Sequence, residues 1–348
     1  MNSERHPFLK FLGIVILIAL LGAGYVGFTL FSHSGDSNET VDVLIPRKSS
    51  ISQVADILES QKVISNKKVF KYLLAFSGGN KKVRAGEFRF HTGLSPIQAL
   101  KVLYYDESIL HPITVPEGWT VRQIAEILAG EKLVNQKRFV DLALNPHAPQ
   151  KYGFKSPSLE GYLFPDTYSF SVIDGEEKII DIMVQRLISK ISPLKSVMLA
   201  KGWTTEQVLT LASIVEKETG NPAERPIISS VFQNRLKKKM RLQSDPTTIY
   251  GISDFNGNLT KKDLQTPTPY NTYTISGLPP GPIASAGEDA IKSILYPAET
   301  EFFYFVSNNN GSHIFSKTYS EHSRHVSTTQ PLIERRHDKN QSKIKTRF

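Results

Sequence analysis

The chain has no cysteine among its 348 residues. Disulfides, thiol catalysis and cysteine-ligated zinc are therefore excluded, and a cysteine-free body escapes wrong oxidation outside the cytoplasm. No RNP, helix-turn-helix or zinc-finger pattern occurs, so nucleic acid is not an expected partner. His322 and His325 stand three apart without a third ligand at a metal-binding spacing. They read as part of a solvated face, and neither metal nor cofactor is expected.

Charge is missing from Phe11–Phe31, FLGIVILIALLGAGYVGFTLF, a run of 21 residues. As a helix this run spans about 30 Å, the thickness of a bilayer core. Arg5 and Lys10 precede it, and Asp36, Glu39 and Asp42 follow. The Lys/Arg bias puts residues 1–10 in the cytoplasm and the body outside. The run is longer than a signal-peptide core and ends on bulky Thr29, Leu30 and Phe31, which favours a retained anchor over 11–31. Elsewhere 40% hydrophobic content suits two folded domains. The net charge of +9 is concentrated in Lys237–Lys239 with Arg241 and in the tail Arg335–Phe348. These read as a solvated helix face and a basic tail over 331–348.

A polar linker over 32–40 leads into an internal repeat with an offset of 70 residues (51 to 121). Ile45-Pro46, Ile51–Leu58, Val63-Ile64 and Lys67 recur as Val115-Pro116, Val121–Leu128, Leu133-Val134 and Lys137. Each copy predicts a strand, a Ser- or Thr-capped helix and a second helix. Arg84–Phe90 predicts a further strand and Ser95–Tyr105 a further helix. Such a strand–helix–helix–strand module resembles the LysM glycan-binding fold, and it reads equally as a spacer. The region is assigned to 41–150.

A second domain is expected over 151–330. Glu160–Tyr168, EGYLFPDTY, gathers aromatics and two carboxylates and suits either a saccharide groove or a core corner. Helices are predicted over Glu176–Leu194, Ala223–Met240 and Glu288–Leu295, and a β-hairpin over Phe302–Ser316. Between them, Arg241–Gly251, Thr268–Tyr273 and Gly277–Ile283 form a long polar stretch whose prolines and glycines fix its backbone. Such ordered loops tend to be functional.

Thr204–Thr219, TTEQVLTLASIVEKET, predicts one amphipathic helix, opened by a Thr204/Gln207 capping box and closed by Gly220-Asn221-Pro222. Glu218 falls roughly 40° from the centre of its apolar stripe and Glu216 roughly 120° away. Desolvation and the negative helix end both raise the pKa of Glu218, as a general acid for glycosidic cleavage requires. The same pattern also suits an ordinary Glu at a helix end.

With IVEKET, SDPTTIYG and YNTYTISGLPPGPI together, the chain resembles the MltG (YceG-like) family of endolytic murein transglycosylases over nearly its whole length. The resemblance implies an α+β protein: a single N-terminal transmembrane helix, a small LysM-like α/β region, and a mainly helical lysozyme-like catalytic domain with a β-hairpin. It implies cleavage of the MurNAc-GlcNAc bond of nascent peptidoglycan at the outer face of the inner membrane, leaving a 1,6-anhydro end and helping to terminate glycan elongation. Peptidoglycan synthases would be candidate partners. Lytic transglycosylases of the lysozyme-like class carry their acid in a helix-end Glu-Ser pair; Glu218-Thr219 is similar, with Thr for Ser. The family's Asn-Thr-Tyr matches Asn271-Thr272-Tyr273. Glu218 would be the acid and then the base, and Glu216, Gln243, Asp245, Asn271 and Tyr273 would position the sugar. A muramidase acting on the same bond and a non-catalytic glycan-binding scaffold are the competing readings.

Overall fold

The computed structural model describes residues 6–32, 39–78 and 83–329. The expected tail over 331–348 and most of the linker over 32–40 lie outside these residues. The described chain is mixed helix and sheet, mostly helical. It opens on α1 (His6–Phe31), whose stretch Leu9–Phe31 has a mean hydropathy of 2.4 and is long and apolar enough to cross a bilayer.

The chain divides into two compact units, one running up to Pro112 with Ser169–Asp174, the other comprising Ile113–Tyr168 and everything from Gly175. In the first, β1 (Thr40–Ile45), α2 (Ile51–Ser60), α3 (Lys67–Phe76), β2 (Gly86–His91) and α4 (Pro96–Tyr105) follow one another. β1 and β2 pair antiparallel with Val43 opposite Phe88. Alternation puts Val43, Ile45, Phe88 and Phe90 on the face that packs on Leu58, Phe70, Leu74 and Leu103. Ser50 and Ser95 each start a helix with a complete capping box.

The second unit carries the helices of the other copy of the repeat, α5 (Val121–Gly130) and α6 (Gln136–Ala143); the paired strands β3 (His111–Thr114) and β4 (Thr167–Phe170) are each divided between the two units. The repeat extends to backbone detail. Lys62 and Lys132, 70 apart, both take left-handed φ, 57° and 58°. Each turns the chain so that a carbonyl five residues back is capped, Val63 N–H to Leu58 at 2.9 Å and Leu133 N–H to Leu128 at 3.0 Å.

The rest of this unit is helical: α7 (Gly175–Ile191), α8 (Lys195–Ala200), α9 (Thr205–Glu218), α10 (Arg225–Lys237), α11 (Asp245–Tyr250), α12 (Lys261–Gln265), α13 (Glu288–Leu295) and, after the hairpin β5 (Tyr304–Ser307) and β6 (His313–Ser316), α14 (Tyr319–Thr329). Lys237, Lys238 and Lys239 are exposed, as a solvated face requires. α8, α11, α12 and α14 depart from the sequence expectation. Pro246 at the start of α11 presets its first turn, so part of the stretch read as loop is helical.

α9 is the centre of the unit, packed by α8, α10, α11 and α13. Every residue from Val208 to Val215 is buried, so this helix is enclosed all round rather than amphipathic. The Glu160–Tyr168 segment is the core corner: Tyr162, Leu163 and Phe164 are buried, and the Tyr168 hydroxyl donates to the Phe164 carbonyl at 2.6 Å. Gly161, at φ +78°, lets this corner meet the Gly277–Ile283 loop, because a Cβ there would lie 2.3 Å from Pro282.

Candidate active site

α9 ends at Glu218, and Thr219 leaves it in extended conformation, φ −144°. That turn delivers the Glu218 carboxyl into a cavity of about 460 Å³. Gln243, Asp245 and Tyr273 line the same cavity, with Arg235, Tyr304, Phe305 and His313.

Ser244 is the N-cap of α11, yet its hydroxyl does not cap; it donates to Glu218 Oε1 at 2.5 Å. Oε2 has no hydrogen-bond partner among the described residues. Burial is the largest influence on this carboxyl and, with Asp245 nearby, pushes it up to about 7, against the opposing pull of Ser244, His313 and Arg235. It therefore carries a proton through the acid range and up to neutrality.

Gln243 reaches the wall from a left-handed backbone, φ 51°, held by its N–H on the Thr272 carbonyl at 3.2 Å. The Tyr273 hydroxyl donates to Asp245 Oδ1 at 2.5 Å, which orients both side chains. Threonines bind this loop to α11: Thr247 and Thr272 hydroxyls lie 2.8 Å apart. Asn271 is fully buried. Its Oδ1 accepts from the Thr248 hydroxyl and the Tyr273 N–H, and its Nδ2 donates to the carbonyls of Asp263, Leu264 and Thr266. Asn271 thus shapes the loop that presents Tyr273 and does not itself line the cavity.

Glu216 also lies apart. Its side chain is 5% exposed, and Oε1 accepts from Arg225 at 2.6 Å. Oε2 accepts the N–H of Gly287, which caps α13, at 2.9 Å. Arg225 further reaches the half-exposed Glu117 at 2.9 Å. This cluster ties α9, α10 and α13 together. We expect Arg225→Ala to destabilise the fold by about 3–5 kcal/mol in denaturant melts, because it strands the buried Glu216 charge; adding Glu216→Gln should recover much of that loss.

Arg235 lines the cavity with no sequence signal to announce it. Arg235 bonds the carbonyls of Phe303 and Leu242 at 2.6 and 2.5 Å, which fixes the hairpin to α10. His322 is half-buried rather than on a solvated face, its ring stacked on Tyr304 at 5.4 Å; burial lowers its pKa. Thr219 also departs from expectation, since its hydroxyl donates to Glu224 at 3.3 Å and the hydroxyl on the acid is that of Ser244.

A larger groove of about 850 Å³ lies on the other side of α11, lined by Pro246, Ile249 and Tyr250 with Glu160 and Tyr270. Burial pushes the Glu160 carboxyl to about 7 as well. Both its oxygens are occupied, by the Val121 N–H at 2.9 Å and the Tyr250 hydroxyl at 3.3 Å, and it is 2% exposed. Of the two carboxyls pushed to about 7, only Glu218 keeps an oxygen open to its cavity.

Residues 43–328 match the model of the YceG-like family. An endolytic murein transglycosylase of Bacillus subtilis is 37% identical over 308 residues, 83% of this chain and 84% of that protein. One from Streptococcus pneumoniae is 29% identical over 90% of this chain and 64% of its own length. A crystal structure of a YceG-like protein from Listeria monocytogenes superposes with a TM-score of 0.57 at 33% identity, covering 83% of this chain and 99% of that one. From the repeat through the acid's cavity to the last described helix, the chain belongs to the YceG-like family.

Proposed function

We propose that this protein is an endolytic peptidoglycan lytic transglycosylase that cuts between N-acetylmuramic acid and N-acetylglucosamine. The observation that carries the reading is the Glu218 carboxyl, pushed by burial up to about 7 and held, among the described residues, by the Ser244 hydroxyl alone, in a cavity walled by aromatic and polar side chains. Its relatives' names support the substrate class. Glu218 protonates the leaving glycosidic oxygen. The muramic acid C6 hydroxyl then attacks C1, its proton ends on Glu218, and a 1,6-anhydro ring closes. Because the nucleophile belongs to the same sugar, orientation replaces a second catalytic carboxylate. Gln243, Asp245 and Tyr273 hold the sugar and stabilise positive charge at C1. Glu216 and Asn271 act one layer out, through α13 and the Tyr273 loop.

The catalytic unit is read as lysozyme-like, and the strand–helix–helix–strand modules as LysM-like glycan-binding elements. α1 is a single-pass anchor with the N-terminus in the cytoplasm, because positive charge precedes it and negative charge follows. This topology sets the enzyme beside newly made glycan and its synthases.

One observation favours hydrolysis instead: Asp245 shares the cavity with Glu218, and paired carboxylates serve muramidases. Mass spectrometry of released strands separates the two chemistries. Anhydro ends are expected; reducing ends heavier by one water would replace this reading with a muramidase.

A further inference from the structure

The cavity holds a second group able to carry a proton. His313 opens β6 and lines the cavity with Glu218. Its Nδ1 lies 2.7 Å from Glu224 Oε2, and its backbone N–H donates to Glu224 Oε1 at 2.9 Å. The pair is enclosed, with side chains 14% and 10% exposed. Burial raises the Glu224 carboxyl, but its bonds from His313 outweigh that and hold it below its ordinary value. An ionised carboxylate only accepts hydrogen bonds, so Nδ1 must carry the proton and Nε2 a lone pair when the ring is neutral. Nε2 has no partner among the described residues. The Thr219 hydroxyl, next to the acid, also donates to Glu224, so one carboxylate fixes both the end of α9 and the imidazole.

We propose that His313, oriented by Glu224, carries the proton of the attacking hydroxyl from O6 to Glu218. The inference rests on the transglycosylase reading and divides its second half into two transfers. First, Glu218 gives its proton to the glycosidic oxygen, and the C1–O bond breaks with its electron pair on that oxygen. O6 then forms its bond to C1 and releases its proton to Nε2. The imidazolium, flanked by the Glu224 carboxylate, passes that proton from Nε2 to the Glu218 carboxylate. Both groups end as they began, and no proton is gained or lost.

The test uses the full chain on uncross-linked glycan strands, with anhydro ends counted by mass spectrometry. For His313→Ala, kcat should fall by about 10²-fold with little change in KM, and added imidazole should restore about tenfold of that loss. Imidazole should leave Glu218→Gln unchanged. Glu224→Gln is near-isosteric. Its amide donates to Nδ1, moves the ring proton to Nε2, and should lower kcat as His313→Ala does in a chain that still folds at the assay temperature. A kcat near wild type in either variant overturns the proposal. So does a loss in His313→Ala that imidazole does not relieve, since a purely structural tie would give that result. Should His313→Ala not fold, Glu224→Gln alone decides. Wild-type activity in Glu218→Gln would instead sink the underlying reading of the acid.

Discussion

Glu218→Gln should leave a folded protein whose kcat for releasing anhydro-ended glycan is lower by about 10³–10⁴-fold. The amide keeps an oxygen to accept from Ser244 and nearly the same volume, so the end of α9 and the cavity persist. What it loses is the proton. General acid–base groups contribute about 10²–10⁴-fold, and the upper part applies because in the proposed mechanism one carboxyl gives the first proton and receives the last. KM should change little, since Gln243, Asp245 and Tyr273 still line the cavity. Turnover within tenfold of wild type would remove Glu218 from the chemistry. Restoration of normal strand lengths by this variant in a deletion strain would favour the scaffold reading.

The rate should also fall as pH rises through about 7. Only the protonated Glu218 can act as the acid, and its carboxyl titrates at about 7 rather than 4.5. Above that point kcat/KM should drop roughly tenfold per pH unit, whereas an exposed glutamate would have lost its proton well below neutrality. The same shift acts on stability. Glu218 and Glu160 both titrate higher in the folded chain, at about 7, than when unfolded. The folded state therefore holds these protons more tightly. That contribution is complete below about pH 4.5 and is lost as pH climbs through about 7. Each carboxyl accounts for roughly 3 kcal/mol at most. Glu160→Gln keeps an acceptor for the Val121 N–H, so its stability relative to wild type should rise between about pH 5 and pH 8.5 in thermal melts. A pH-independent difference would refute the assignment for Glu160, and a rate flat above neutrality would refute it for Glu218.

Local signals were legible in the sequence because their causes are local. The capping boxes at Ser50, Ser95, Thr120 and Thr204 rest on residues three apart, and the repeat shows as a pattern of apolar positions. The ends of α9 follow from its cap and from Gly220-Asn221-Pro222. The orientation of its carboxylates does not, because a helix enclosed on all sides has no outward face to read. Both Glu216 and Glu218 are surrounded by protein; what separates them is Arg225 on one and Ser244 on the other. Those contacts depend on how α9, α10 and the following loop pack. The Glu224–His313 pair joins residues 89 positions apart, with no spacing rule to announce it. Asn271 belongs to the Asn-Thr-Tyr motif, but its side chain is taken up by five hydrogen bonds that form only once the loop is closed.

Gln243 sits at φ 51°, a conformation that costs a residue with a Cβ roughly 1 kcal/mol or more and glycine little. Glycine would ease that strain yet bring nothing to the cavity wall. Under the proposed role of Gln243 in holding the sugar, durability and catalysis pull in opposite directions at one position. Selection for heat tolerance alone would be expected to drift toward glycine there, yielding a tougher but slower enzyme.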